Sequence, residues 1–91
     1  MGTVRRTFLI VNKLGLHARA AAQLVKLTEQ FSADVKIGKD DQVVNGKSIM
    51  GLMMLAASSG SSIDVEANGE DADAMLDAIG ALIEARFNER E

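Results

Sequence analysis

Segments that alternate with period two and segments with helical periodicity take turns along only 91 residues, and this interleaving is what most limits the fold. Thr3 to Val11 is rich in β-branched residues, with Val4, Phe8 and Ile10 on one face and Thr3, Arg5, Thr7 and Leu9 on the other. The first face is expected to meet the core. Ala18 to Phe31 then places Ala20, Leu24, Leu27 and Phe31 at helical spacing, with Ala21, Val25 and Thr28 beside them, as in an amphipathic helix. Ala33 to Ile37 points Val35 and Ile37 inward, Gly38-Lys39-Asp40-Asp41 supplies a turn, and Gln42 to Asn45 returns as a short strand.

The second half repeats the logic. Asn45-Gly46-Lys47 reads as a turn, and Ser48 stands where an N-cap belongs before a short apolar helix over Ile49 to Ala57. Ser58 to Ser61 is a loop by composition, and Ser62 to Asn68 alternates Ile63, Val65 and Ala67 against Asp64, Glu66 and Asn68. In the last segment Glu70, Asp71 and Asp73 load a first helical turn with negative charge. Met75, Leu76, Ile79, Leu82, Ile83 and Phe87 form its stripe, and Arg86 stands near its end, so the macrodipole is expected to be matched at both termini. The order is β-α-β-β-α-β-α. The simplest arrangement is an antiparallel or mixed four-stranded sheet, covered by three helices on one side and wet on the other.

This size supports one small domain, residues 1–91, with one core from an apolar fraction of 47%. With no cysteine there is neither a disulfide framework nor a thiolate metal site; no metal or cofactor is expected, and a reducing compartment fits. The longest apolar stretch, Ile49 to Ala57, is broken by Gly51 and too short to span a bilayer, so a cytoplasmic protein without membrane insertion is expected. A net charge of -3 and three phenylalanines as the only aromatics argue against nucleic acid as a partner.

The chemistry concentrates at one junction. His17 is the only histidine, and Gly15-Leu16-His17-Ala18-Arg19 sits where a strand-like segment gives way to a helix. An imidazole there offers a ring nitrogen as nucleophile, the first-turn backbone N–H groups offer donors to an anion, and Arg19 adds a guanidinium fork for phosphate oxygens. Gly15 and the small Ala18 leave room for a visiting phosphoryl group. Each residue also has a plainer reading, His17 as a cap and Arg19 as a solvated surface charge. Ser48 is first of all a cap, although a phosphate there would be tolerated at a helix N-terminus. Leu52 and Leu55 suit the core, with Leu52 shared between burial and the rim. Met50 and Met53 serve equally as core filler or as an adaptable binding surface.

The GLHARA stretch around His17, the VNGKSIMGLMML stretch around Ser48 and the order of elements resemble the histidine-containing phosphocarrier family HPr, from Thr3 to the last helix. The resemblance implies an open-faced β-sandwich of α+β class, a four-stranded antiparallel sheet with three helices on one face. It implies a monomeric carrier rather than a stand-alone catalyst. Such a carrier takes a phosphoryl group, derived from phosphoenolpyruvate, from phosphorylated enzyme I and passes it to IIA domains of the phosphotransferase system. His17 would accept the phosphoryl through Nδ1, Ala18 and Arg19 would bind it, and Ser48 would match the regulatory serine of HPr kinase/phosphorylase. Ile49, Met50 and Met53 would match the apolar docking surface. The sugar-uptake and nitrogen-related branches share these motifs, and a mainly regulatory interaction module is the alternative from another class. One departure stands out: the family usually has proline after the arginine, whereas this chain has Ala20. Because that position falls in the first turn, where an N–H is not needed, alanine should keep the helix.

Overall fold

The computed structural model describes residues 2–89. The strands are β1 (Thr3–Leu9), β2 (Asp34–Lys39), β3 (Gln42–Asn45) and β4 (Ser62–Asn68), and the helices are α1 (Ala18–Thr28), α2 (Ile49–Met54) and α3 (Ala72–Glu84). A tight turn over Arg86–Asn88 follows α3. The sheet runs β1-β4-β2-β3, and every pair is antiparallel, which decides between the antiparallel and mixed arrangements.

Alternation does what the sequence requires of it. Val35, Ile37, Ile63, Val65 and Ala67 are buried under the helices, joined by Leu24 and Val25 of α1, Leu52 of α2, and Met75, Leu76, Ile79 and Ile83 of α3. Leu9 and Val43 apart, the other sheet face is polar, with Arg5 paired to Glu66 and the Thr7 hydroxyl donating to Asp64 at 2.7 Å across the β1–β4 pair. Three helices therefore cover one face of an open-faced sandwich.

The element ends depart from the sequence pattern, each for a local reason. β1 stops at Leu9 because Ile10 exchanges backbone hydrogen bonds with the Gly60–Ser61 loop instead of β4. α1 stops at Thr28 because the N–H groups of Gln30 and Phe31 reach back only three residues, tightening the last turn. α2 ends at Met54, well before Ala57, because Ala56 turns left-handed (φ 50°) and frees the Ala57 carbonyl to accept from Leu16 N–H at 2.8 Å. Leu52 is wholly buried, not shared with the rim. The start of α1 survives alanine in place of proline, with Ala20 fully buried.

The expected charge matching of α3 holds only at its start. Asp73 lies in the first turn, but the last turn carries no basic residue, since α3 ends at Glu84 and Arg86 falls beyond it. Asp71 does not cap α3; its carboxylate accepts from the N–H groups of Ser32 and Ala33, both at 2.8 Å, and so ties the start of α3 to the loop before β2. These backbone hydrogen bonds hold the Asp71 carboxyl below the usual carboxylate range.

Candidate functional site

Gly15 makes the approach to His17 possible. Its φ is +65°, and a Cβ there would lie 2.3 Å from the Ala57 carbonyl oxygen, so a side chain is excluded on both conformational and steric grounds. With Leu16 pinned to Ala57, the chain delivers His17 to the N-cap of α1 in an extended conformation (φ −77°, ψ 179°). A serine or aspartate in this position would bond a first-turn amide, whereas the imidazole caps none. The N–H groups of Ala18 and Arg19 have no acceptor within the helix, and both residues are exposed.

The imidazole is only partly open to solvent. Its side chain is 28% exposed, and Nε2 lies 2.5 Å from Oε2 of Glu89. Partial burial works against ionisation of Glu89. Hydrogen bonds from Asn12 and His17, with the positive pull of His17 and Arg19, outweigh that burial and hold the carboxyl below its usual range. An ionised carboxylate can only accept, so Nε2 carries the proton and donates it to Glu89. In the neutral ring the lone pair is then on Nδ1, to which no described residue hydrogen-bonds.

Glu89 arrives by an unusual backbone path. Arg86, Phe87 and Asn88 all have positive φ (56°, 55° and 63°), a left-handed turn closed by Asn88 N–H to Ala85 carbonyl and Glu89 N–H to Arg86 carbonyl. Each such residue costs about 1–2 kcal/mol. Burying Phe87, which is 1% exposed, returns about 1.5–3 kcal/mol, so it does not offset the turn alone. The hydrogen bonds at Glu89 supply part of the balance. Asn12, also fully buried, donates to Glu89 Oε1 at 3.0 Å and to the Gly15 carbonyl at 2.9 Å.

Other candidates cluster less tightly. Arg19 shares an open cleft with Lys13, His17, Gln23 and Glu89. On the other side of His17, Leu14, Leu16, Ala18 and Met53 line an apolar hollow. Ile49, Met50 and Met53 are 41%, 75% and 45% exposed, and Leu14 and Met54, each 66% exposed, extend the apolar surface. Ser48 caps α2, its hydroxyl oxygen accepting from Gly51 N–H at 3.0 Å, and makes no hydrogen bond to His17. Sequence reasoning missed Glu89 and Asn12. Nothing local marks their role, because it depends on Glu89, which meets His17 across 72 residues and Asn12 across 77. Among the described residues no cluster of histidine and acidic side chains could hold a metal, and no helix is long and apolar enough to cross a membrane.

Residues 4–85 match the family described as PTS HPr component phosphorylation site. The phosphocarrier protein HPr of Cupriavidus necator is 48% identical over 97% of this chain and 99% of that protein. The phosphocarrier protein NPr of Shewanella violacea is 44% identical over 98% of each. Among solved structures, HPr-C-His from Thermoanaerobacter tengcongensis superposes with a TM-score of 0.90 at 42% identity, covering all of both chains. An HPr dimer from the same organism gives 0.76 at 43% identity over 90% of this chain and 94% of that one. Full-length similarity in sequence and fold, with the histidine junction intact, makes this chain a member of the PTS HPr phosphocarrier family.

Proposed function

We propose that His17 carries a phosphoryl group from phosphorylated enzyme I to IIA domains of the phosphotransferase system. The observation that supports this reading is the engagement of Nε2 by Glu89, which leaves the Nδ1 lone pair as the ring's nucleophile. In the transfer, Nδ1 attacks phosphorus and the P–Nδ1 bond forms as the bond to the enzyme I group breaks. The departing group keeps the electron pair. Nε2 retains its proton, so the positive charge gained by the ring is set against the Glu89 carboxylate. Arg19 and the N–H groups of Ala18 and Arg19 meet the phosphoryl oxygens. Most of the transition-state stabilisation falls to the larger partner, since the carrier offers a nucleophile and donors in an open cleft.

Ile49, Met50 and Met53, with Leu14, form the surface on which enzyme I and IIA domains dock in turn. Flexible methionines suit a surface that must fit more than one partner and let go of each. The protein acts in the cytoplasm and needs no second copy, since His17, Arg19 and Glu89 come from one chain.

The test is incubation with phosphoenolpyruvate and enzyme I. Acid-labile label on the wild type, absent from His17→Ala, is the expected result, and no label despite active enzyme I rejects it. Similarity to both HPr and NPr keeps two branches in view. Offering the labelled protein to a sugar-specific and a nitrogen-related IIA domain separates them by which one discharges it faster. Ser48 is a regulatory phosphoacceptor in this proposal, supported by a helix start that tolerates added negative charge. HPr kinase with ATP should then give acid-stable phosphate that Ser48→Ala lacks.

A further inference from the structure

Asn12 is the fully buried residue on which the surroundings of His17 converge. Its side-chain amide has two hydrogens, and both are used on the two segments that flank the imidazole. One goes to the Gly15 carbonyl of the loop entering α1, the other to Glu89 at the end of the left-handed turn. Both neighbours are acceptors, which fixes the amide nitrogen rather than the oxygen toward them. Oδ1 is left buried with no hydrogen bond to any described residue, a cost that an apolar side chain of the same volume would avoid. Aspartate would set one carboxylate against another, and leucine would leave Gly15 and Glu89 without their donor.

We infer that Asn12 is a positioning residue for phosphoryl transfer, clamping the Glu89 carboxylate so that His17 keeps its proton on Nε2 and presents Nδ1 outward. The inference rests on the carrier reading for its consequence in rate, but the clamp itself is a property of the unphosphorylated protein. One oxygen of Glu89 meets Asn12 and the other meets His17, so the carboxylate cannot rotate away while both bonds hold. A carboxylate that fixes the tautomer and orientation of an imidazole works only if it is itself held.

Ring-nitrogen spectra of His17 and the rate of phosphorylation by enzyme I, measured together on Asn12→Leu, Asn12→Asp, Glu89→Ala and the Asn12→Leu/Glu89→Ala pair, test the clamp. The wild type should show a slowly exchanging Nε2 proton. Both Asn12 variants should lose it and be phosphorylated about tenfold more slowly, the worth of one charge-assisted hydrogen bond. The double variant should match Glu89→Ala, because Asn12 acts through that residue. An unchanged Nε2 proton in Asn12→Leu, or additive losses in the double variant, overturns the inference. Should the Asn12 variants fail to fold, the Asn12 amide protons of the folded Glu89→Ala protein decide. The one that faces Glu89 should exchange faster than in the wild type, and unchanged exchange refutes the clamp. Failure of the wild type to accept phosphate would sink the carrier reading, while the spectra judge the clamp separately.

Discussion

Helices α1 and α2 pack against each other, yet they begin in opposite ways. At α2, Ser48 closes the helix start, its hydroxyl oxygen taking the Gly51 N–H. At α1, His17 occupies the same cap position and bonds no amide, turning its ring instead to Glu89. One start is finished by its own side chain; the other keeps donors in reserve. A cap is worth about 1 kcal/mol, so leaving α1 uncapped gives up stability at the spot where an anion is expected to bind.

The largest effect that would break this contrast is at Gly15. Gly15→Ala must relieve a Cβ 2.3 Å from the Ala57 carbonyl and force alanine into a positive φ, and it should cost about 3 kcal/mol in urea unfolding. A loss below about 1 kcal/mol would mean that the junction before His17 is plastic rather than imposed. Next comes a comparison of the two caps. Ser48→Ala should lose about 1 kcal/mol, while His17→Ser should be more stable than His17→Ala by a similar amount, because serine supplies the cap that histidine withholds. If the two His17 variants unfold alike, the α1 amides are already satisfied and the comparison fails. Neither His17 variant should take up acid-labile phosphate.

The smallest effect concerns acid. The Asp71 carboxyl is held below its ordinary value by the Ser32 and Ala33 amides, so it stabilises the fold above the unfolded carboxylate range. That contribution is lost as pH falls through the lower, folded value. Asp71→Asn should therefore be less stable than the wild type at neutral pH, with the gap closing on acidification; a gap independent of pH would assign the effect to packing instead.

Local information read β3 and β4 to the residue, because flanking turn residues mark both ends of each and β4 alternates as well. It also found the Ser48 cap, where the hydroxyl and its amide partner are three residues apart. What stayed illegible was long-range. Asp71 looks like first-turn charge for α3 but bonds a loop 38 and 39 residues earlier. The stripe of α3 runs on to Phe87, yet the helix ends at Glu84 and reaches that buried ring through a left-handed turn. Glu89 and Asn12 have neither period nor motif, and only the folded chain brings Glu89 to Asn12 and His17.

The turn over Arg86–Asn88 has a practical consequence for anyone who handles this protein. Because the chain comes back to the His17 imidazole at Glu89, a fluorophore or surface tether attached in the segment around Glu89 is placed beside the proposed phosphoacceptor. Thr3, at the other end of β1, sits about 20 Å of strand away from the residues leading to His17. Handles fixed near that end of β1 leave the surroundings of His17 clear.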